Sequence, residues 1–510
     1  MNIIKFLSLL LITTGPVSCS FLPSSGSISD TLTSGFTITS ATTSEDTTSS
    51  VDNGPDIVST PEYVDFFATT SKVSINITIS KDNLVRLEEY GLSGDEREDE
   101  YFPISITIDV DNGTLIRNYA FEQVGLRMKG NLSKDTFIDH ETGYIYNLIH
   151  FKVSFDHYVL NQRFLSMSSF DLKWNRNVDD TNIRQVYAYK MFKDYLDVSL
   201  DATLGNIGIT QTSDHGNTFT DLGVYTILET VDKRLIKRQF PFAEAAGNLY
   251  KVRYTSEGPA EFRKSGAVLR SGSTYVALTN GKIGIEDLAT NYHPSYDLKT
   301  NNIAPNFSDI ANLIGNIDNS TDYDSDANKA ILDNLMEMES FLKMEAVAYF
   351  MGNPDDFRNN YNNLYLYFVP STGRAIFIPY DFDRAFGMNG NWDPTGNSMT
   401  QAAPYATKAY GFGGDQEHMN PLYRFTIFSG AHPTYRAMYT SYLNQILDSE
   451  WLTDDYFENM YHDYELNYSG EVSTDNDLPY CSFSLTNNSE FNWTFSSYLD
   501  AKRNTTYNSL

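Results

Sequence analysis

The sequence predicts an α+β fold with a β-rich N-terminal part and a more helical C-terminal part. Alternating runs of β-forming residues dominate 62–175, which is typical of antiparallel strands. Apolar residues recur at helical spacing in 179–200, 330–351, 421–447 and 453–465. The 510 residues, of which 41% are hydrophobic, are enough for one large or two ordinary domains.

Charge and cysteine content exclude several classes of protein. Lysine and arginine number 37 against 66 aspartate and glutamate residues, a formal net charge of −29. Because phosphate backbones require basic surfaces, we expect no nucleic-acid partner. Cys19 and Cys481 are the only cysteines, which excludes a disulfide framework and a cysteine-based zinc site. The eight histidines show no H-x-x-x-H spacing, and this weighs against zinc hydrolase chemistry.

The N-terminus indicates entry into the secretory pathway. Residues 1–20 combine a lysine, an apolar stretch and a small-residue end, so we expect a cleaved signal peptide and no transmembrane span after its removal. Residues 21–60 are rich in Ser and Thr and poor in apolar residues, which predicts a disordered stalk. We therefore expect a secreted, extracellular or cell-surface protein. Asn-x-Ser/Thr sequons, which behind a signal peptide indicate a eukaryotic glycoprotein, occur at Asn76, Asn112, Asn131, Asn306, Asn319, Asn467, Asn487, Asn492 and Asn504.

We predict that the β-rich part spans 62–255. Two of its features could bind an anion such as phosphate. The segment R-M-K-G-N-L-S at 127–133 is a strand that runs into a polar turn, whose backbone amides can cradle phosphates. Lys152 lies on a strand whose apolar residues face the other side, so its ammonium could reach phosphates as a point charge. An ordinary turn and a solvated strand face explain the same residues.

Helices and strands alternate after 175. Residues 179–200 predict an amphipathic helix, with Asp180 or Thr181 as its N-cap. Glu229 ends a predicted strand at 223–230, where it could anchor a lysine or a metal or merely begin a helix.

For the helical part we predict the bounds 256–465. It comprises a loop-rich start at 256–328, a long helix at 330–351, a substrate-facing loop at 388–415 and helices at 421–447 and 453–465. Residues 466–510 are predicted to form a glycosylated C-terminal segment.

The segment 353–387 contains the residues best suited to chemistry. Asp355 and Asp356 open it, an Asn-rich loop and a hairpin follow, and Asp381 and Asp383 close it. Phosphoryl transfer to a hydroxyl needs one carboxylate that accepts a proton, and a second carboxylate with an amide oxygen that hold magnesium. Protein kinases have these groups in the same order, with an Asn five residues after the catalytic Asp. If Asp355 is that Asp, the corresponding Asn is Asn360. Asp and Asn are also ordinary turn residues, so the segment alone does not decide between a site and a loop.

Several motifs together resemble the CotH kinase family, which includes bacterial spore-coat protein H and secreted fungal members. The resemblance covers about 125–390. The matching segments are R-M-K-G-N-L-S (127–133), F-K-V-S-F-D (151–156), N-I-R-Q-V-Y-A-Y-K-M-F (182–192), G-V-Y-T-I-L-E-T-V-D-K-R (223–234), G-N-L-Y-K (247–251), N-P-D-D-F…N-N-L-Y-L-Y (353–367) and I-P-Y-D-F-D-R-A-F-G (378–387).

The resemblance implies an atypical, two-lobed protein-kinase-like fold, with a β-rich N-terminal lobe and a more helical C-terminal lobe. It also implies ATP with Mg²⁺ or Mn²⁺, and serine-containing coat or surface proteins as substrates. Asp355 would be the catalytic base, with Asp356 ranked second, and Asp381 would bind metal with Asp383 in support. Lys152 would hold ATP. The residues that would cover the phosphates are Arg127, Lys129, Gly130, Asn131 and Ser133.

Three positions depart from the family pattern or leave an alternative. The family's metal-binding Asn aligns with Asn363, whereas kinase spacing selects Asn360, so Asn363 is favoured and Asn360 is kept as the alternative. Gln185 stands where many relatives have Glu, and Glu229 is the substitute we expect as partner of Lys152. Asn131 is a sequon within the phosphate turn, so we expect it to be unmodified.

The resemblance also leaves a second function open, a fungal surface adhesin or invasin on a kinase-like scaffold that needs no catalysis and binds a host or cell-wall partner. The Ser/Thr-rich stalk favours this alternative.

Overall fold

A computed structural model describes the chain from Ser59 to its end with several gaps. The described residues are 59–130, 133–263, 282–318, 322–388, 403–405, 420–470, 478, 483–486 and 493–510. The predicted signal peptide, nearly all of the predicted stalk, most of the predicted loop 388–415 and both cysteines lie outside them. No helix among the described residues is both long and apolar enough to cross a membrane.

Seven strands of the N-terminal half close into a barrel in the order β1-β2-β3-β4-β5-β7-β6. Their bounds are β1 Lys72–Ser80, β2 Phe102–Asp111, β3 Ile116–Lys129, β4 His150–Ser154, β5 Ser169–Trp174, β6 Ala202–Ser213 and β7 Gly216–Glu229. All neighbours are antiparallel except β1 and β6, which are parallel and close the barrel. Closure leaves no free sheet edge, which the linear pattern of strands did not predict.

The alternating sequence explains the interior of the barrel. Along β1, Val73, Ile75, Ile77 and Ile79 are buried and the residues between them are partly exposed. Successive side chains of a strand point to opposite faces, so one face fills the barrel and the other is free for polar residues. On β3, β4 and β5 this second face forms the candidate site.

Four helices belong to this half: α1 Pro61–Phe66, α2 Lys81–Gly91, α3 Arg184–Tyr195 and α4 Lys233–Gln239. Helix α3 begins later than the 179–200 prediction. Asp179 receives hydrogen bonds from the amides of Thr181 and Arg184, at 3.1 and 2.9 Å, so the preceding residues form a turn instead of a helical start. The predicted N-caps Asp180 and Thr181 are therefore wrong, because Ile183 holds that position.

A second sheet has the order β12-β11-β8-β10-β9. Its strands are β8 Leu249–Val252, β9 Ile283–Gly284, β10 Tyr296–Leu298, β11 Leu364–Phe368 and β12 Ala375–Pro379. The predicted hairpin of the segment 353–387 is confirmed as β11 and β12. Strand β8 pairs with β10 and β11, so this sheet begins before the predicted lobe boundary at 255.

The remaining helices among the described residues lie in the C-terminal half of the chain. They are α5 Ser308–Asp318, α6 Asp326–Leu335, α7 Met338–Met351, α8 Phe357–Asn360, α9 Pro421–Thr426, α10 Pro433–Leu447, α11 Asp454–Tyr468 and α12 Phe495–Tyr507. The long helix predicted at 330–351 is wrong: the amide of Glu337 bonds to the carbonyl of Ala375 at 2.9 Å and separates α6 from α7. Helix α7 is buried along nearly all its length and ends at the candidate site.

Candidate active site

The loop that bears Asp355 is anchored by the end of α7. Gly352 ends the helix with φ +62, a left-handed conformation that glycine adopts without strain. Asn353 follows and is fully buried. Its Oδ1 accepts a hydrogen bond from the amide of Asp355 at 3.0 Å, and its Nδ2 donates to the carbonyl of Asp381 at 3.0 Å. One buried amide therefore holds together the two loops that carry the predicted carboxylates.

Three asparagines surround the carboxylate of Asp355. Asn360 and Asn362 donate to Oδ1 at 2.6 and 3.1 Å, and Asn363 donates to Oδ2 at 3.2 Å and to the backbone carbonyl at 2.8 Å. Burial raises the pKa of Asp355, the asparagine hydrogen bonds oppose that rise, and the nearby carboxylate of Asp381 adds to it. A half-buried carboxylate with a raised pKa is a competent proton acceptor.

Asp356 has a different environment. It is the N-cap of α8, and its Oδ1 accepts the amide of Asn359 at 2.8 Å and the Nδ2 of the same residue at 3.0 Å. Burial and the neighbouring charge of Glu345 raise its pKa to about 8. The buried carboxylate of Asp356 thus accepts hydrogen bonds from Asn359 of its own loop, whereas the carboxylate of Asp355 is partly exposed to solvent.

The D-F-D loop is held by both the barrel and α3. Lys173 on β5 donates to Asp381, and its Nζ lies 3.3 Å from the carboxylate of Asp383. The amide of Asp381 donates to the hydroxyl of Tyr189 on α3 at 2.7 Å. Burial alone would raise the pKa of Asp381, but the ammonium of Lys173 outweighs it and lowers the pKa to about 2. Asp381 is therefore an anion at neutral pH.

The predicted phosphate residues of β3 and β4 share one face of the barrel with β5. The register places Lys152 opposite Arg127 on one side and opposite Asp171 on the other. Lys129 lies on the same face, where it contacts the carboxylate of Asp171 and the hydroxyl of Tyr380. Lys152 forms no ion pair or hydrogen bond with any residue that the structure describes. A cationic group is thus available beside the D-F-D loop.

The turn after β3 is described only in part. Gly130 has φ +121, and a Cβ there would collide with the hydroxyl of Ser133, so the turn requires glycine. Arg127 is committed to Asp99 at 2.6 Å and lies over the ring of Tyr101. Asn131 lies outside the described residues.

The structure does not bring Glu229 to Lys152. Glu229 lies opposite Phe170 and Lys152 lies opposite Asp171, so the two side chains are on opposite faces of the sheet. The carboxylate of Glu229 pairs with Arg238 and accepts the hydroxyl of Tyr63 at 3.0 Å. Asp171 is the carboxylate that the register puts beside Lys152.

The oxygen donors near Asp355 fit a divalent metal. Asp381 and Asp383 are 33% and 29% exposed, which leaves carboxylate oxygens accessible. The Oδ1 of Asn360 is buried and accepts no hydrogen bond within the described residues. Carboxylate and amide oxygens are the ligands that Mg²⁺ and Mn²⁺ prefer. In the described part of the chain, no group of three or more His, Cys, Asp or Glu side chains is arranged as a metal site, so an amide oxygen would have to complete this one.

Sequence reasoning missed several residues of the site, namely Asp171, Lys173, Tyr380 and Asn353. The sequence pattern does place two of them, Asp171 and Lys173, on a polar strand face. In F-D-L-K-W, 170–174, apolar residues alternate with Asp171 and Lys173, which places both on the polar face of a strand. Their contacts with a loop some two hundred residues away follow only from the fold.

Comparison with protein families identifies a match over most of the chain. The family model described as CotH kinase protein matches residues 144–492, which includes Lys152, Asp355 and Asp381 but not the end of β3 or the turn after it. No curated protein matches the chain.

Proposed function

The chain belongs to the CotH kinase family, and from this premise we propose that it is a secreted or cell-surface protein kinase. It transfers the γ-phosphate of ATP to serine, and in some substrates threonine, of coat or surface proteins. The barrel, within 62–255, serves as the N-terminal lobe, and 256–465 serves as the helical lobe. The observation that supports this proposal most strongly is the link through Asn353, which joins the loop of Asp355 to the loop of Asp381.

We assign the base to Asp355. Its carboxylate is partly open to solvent, is oriented by three asparagines and has a raised pKa. It takes the proton of the serine hydroxyl as the serine oxygen forms a bond to the γ-phosphorus. The bond between that phosphorus and the oxygen bridging to the β-phosphate breaks, and ADP leaves with the electron pair. Asp356 is the cap of α8 and has a supporting role.

Mg²⁺ or Mn²⁺ would be held by Asp381 with Asn360 or Asn363, and Asp383 would support it. When bound, it neutralises charge on the phosphates. Among the asparagines we favour Asn360, because its buried Oδ1 has no other hydrogen bond among the described residues. Both Asn360 and Asn363 donate through Nδ2 to Asp355, so this preference rests on the buried Oδ1 of Asn360 alone.

Among the residues proposed to bind the nucleotide, Lys152 contacts the phosphates of ATP. The turn that contains Gly130 and Ser133 covers these phosphates. Lys129 and Asp171 act indirectly, because they hold Tyr380 and thereby the start of the D-F-D loop.

Transfer of labelled γ-phosphate tests the proposal. The full chain is incubated with ATP and Mg²⁺ or Mn²⁺, alone and with a serine-rich peptide. We expect metal-dependent labelling of the peptide, with phosphoserine identified by mass spectrometry. If the wild-type chain shows neither labelling nor a thermal shift with ATP and metal, the kinase proposal fails. The surface adhesin on a kinase-like scaffold is then the remaining alternative.

A further inference from the structure

The second sheet presents a lysine to Tyr380, the residue directly before the D-F-D loop. Lys251 lies on β8, the central strand of that sheet, and is flanked in register by Asp297 on β10 and Tyr365 on β11. Its Nζ is 5.7 Å from the centre of the Tyr380 ring. The Nζ of Lys129 lies 5.2 Å from the centre of the same ring. Lysines from the barrel and from the second sheet therefore meet at Tyr380, directly before Asp381.

The carboxylates around Lys251 are paired with other cations. Arg253 contacts Glu286 at 2.5 Å and Asp297 at 3.3 Å. Lys299 contacts Asp297 and lies 3.4 Å from Glu286. Lys251 itself forms no hydrogen bond or ion pair with any residue of the described chain. In this respect it matches Lys152 on the barrel.

A half-buried ammonium without an ion pair is costly, because burial removes water from the charge and leaves nothing in its place. Of Lys129, Lys152 and Lys251, only Lys129 contacts a carboxylate among the described residues, that of Asp171. Lys152 and Lys251 thus have no carboxylate partner among the described residues, although the chain as a whole has a net charge of −29. A polyanionic ligand would supply the missing charge.

We propose that Lys251 is a second phosphate-binding lysine, which holds the phosphates of ATP from the second sheet while Lys152 holds them from the barrel. The inference rests on the proposed kinase function and adds a residue to its nucleotide site. One phosphate chain bound by both lysines also ties the two sheets together.

Proton uptake should accompany binding. Burial, together with the charges of Arg253, Lys299 and Lys129, lowers the pKa of Lys251 to about 7. A bound phosphate stabilises the ammonium and raises that pKa. Near pH 7.5 the free protein therefore has Lys251 largely neutral, and nucleotide binding takes up a proton at this residue.

Calorimetric titration of the full chain with Mg²⁺ and a non-hydrolysable imido analogue of ATP tests this assignment. Titrations at about pH 7.5 in buffers of different ionisation enthalpy count the protons taken up. We expect Lys251→Gln to weaken binding roughly tenfold or more, as for a lost charge-assisted contact, and to reduce proton uptake. Lys251→Arg should restore affinity without restoring uptake, because arginine is always protonated.

Lys343→Gln is the matched control, because Lys343 forms an ion pair with Glu339 on the surface of α7. This variant should bind and take up protons as the wild type does. Thermal unfolding of every variant separates lost binding from lost fold. If Lys251→Gln is folded and binds as the wild type does, the assignment is overturned while the kinase proposal stands. If the wild-type chain binds no nucleotide, both are overturned.

Discussion

Lys173 and Asp381 form an ion pair that joins the barrel to the D-F-D loop. The Lys173 side chain is only 5% exposed, and its Nζ also lies 3.3 Å from Asp383. Two residues earlier on β5, Asp171 accepts the hydroxyl of Tyr380 at 3.3 Å. Asp171 and Lys173, which lie on the same face of β5, thus contact the consecutive residues Tyr380 and Asp381. The loop position is therefore determined by the barrel as well as by the hairpin that precedes it.

Replacing Lys173 with Met should destabilise the fold, because Asp381 and Asp383 lose their buried counter-ion. Removing one partner of a buried ion pair costs about 3–5 kcal/mol in free energy of unfolding. Since Asp383 and Asp381 are partly exposed, we expect the lower part of that range, about 3 kcal/mol. Chemical denaturation measures the loss.

A divalent cation should partly replace the missing charge in Lys173→Met. Added Mg²⁺ or Mn²⁺ is therefore expected to raise the melting temperature of this variant more than that of the wild type. Lys343→Met, at a surface ion pair, should show neither effect. Equal metal-dependent shifts in all three proteins would contradict the placement of the metal at Asp381.

The two candidate asparagine ligands can be separated by alanine substitution. Because the Oδ1 of Asn360 is buried without a hydrogen bond among the described residues, Asn360→Ala should weaken Mn²⁺ binding about 10–100-fold in the presence of nucleotide. Asn363→Ala should affect Mn²⁺ binding less, since the Oδ1 of Asn363 is not among the buried oxygen atoms that lack a hydrogen bond in the described part of the chain. Paramagnetic resonance of free Mn²⁺ reports both affinities. The opposite order would assign the metal to Asn363.

Asp356 predicts a pH dependence of stability. The unfolded chain releases this proton near pH 4, about the reference pKa of Asp, whereas the folded chain keeps it up to a pKa of about 8. Between these values the folded state binds more protons, so the free energy of unfolding falls as pH rises. Asp356→Asn keeps an N-cap acceptor but cannot titrate.

The variant should therefore gain stability relative to the wild type as pH rises from 5 to 8, by at most about 1.4 kcal/mol per pH unit. Glu345, whose burial raises its pKa to about 7, adds a similar slope to both proteins. Urea unfolding at several pH values measures the difference. Parallel pH profiles would contradict a protonated Asp356.

The sequence identified most strands and the hairpin, because alternation and turn residues are local signals. It did not identify barrel closure, which depends on the parallel pairing of β1 with β6 across more than a hundred residues. It also merged α6 with α7, since no proline or glycine marks the break near Glu337. That break is imposed by a backbone contact with Ala375, which is distant in the chain.

The order of Asp355, the asparagines and Asp381 was readable because all lie within one short segment. The carboxylate beside Lys152 could not be identified from the sequence, and Glu229 was expected instead of Asp171. The choice depends on which face of the sheet each carboxylate occupies, and the register that decides it is set by the whole barrel. Lys173 was missed for the same reason.

The most direct test of the account compares nucleotide binding with phosphate transfer in Asp355→Asn. If Asp355 is the base, the folded variant should bind ATP and metal with nearly wild-type affinity, while its transfer rate to a serine peptide falls about 10²–10⁴-fold. Asp356→Asn, which alters the adjacent carboxylate, should retain most of the wild-type rate. Wild-type transfer by Asp355→Asn would contradict the central claim that this carboxylate accepts the proton of the substrate hydroxyl.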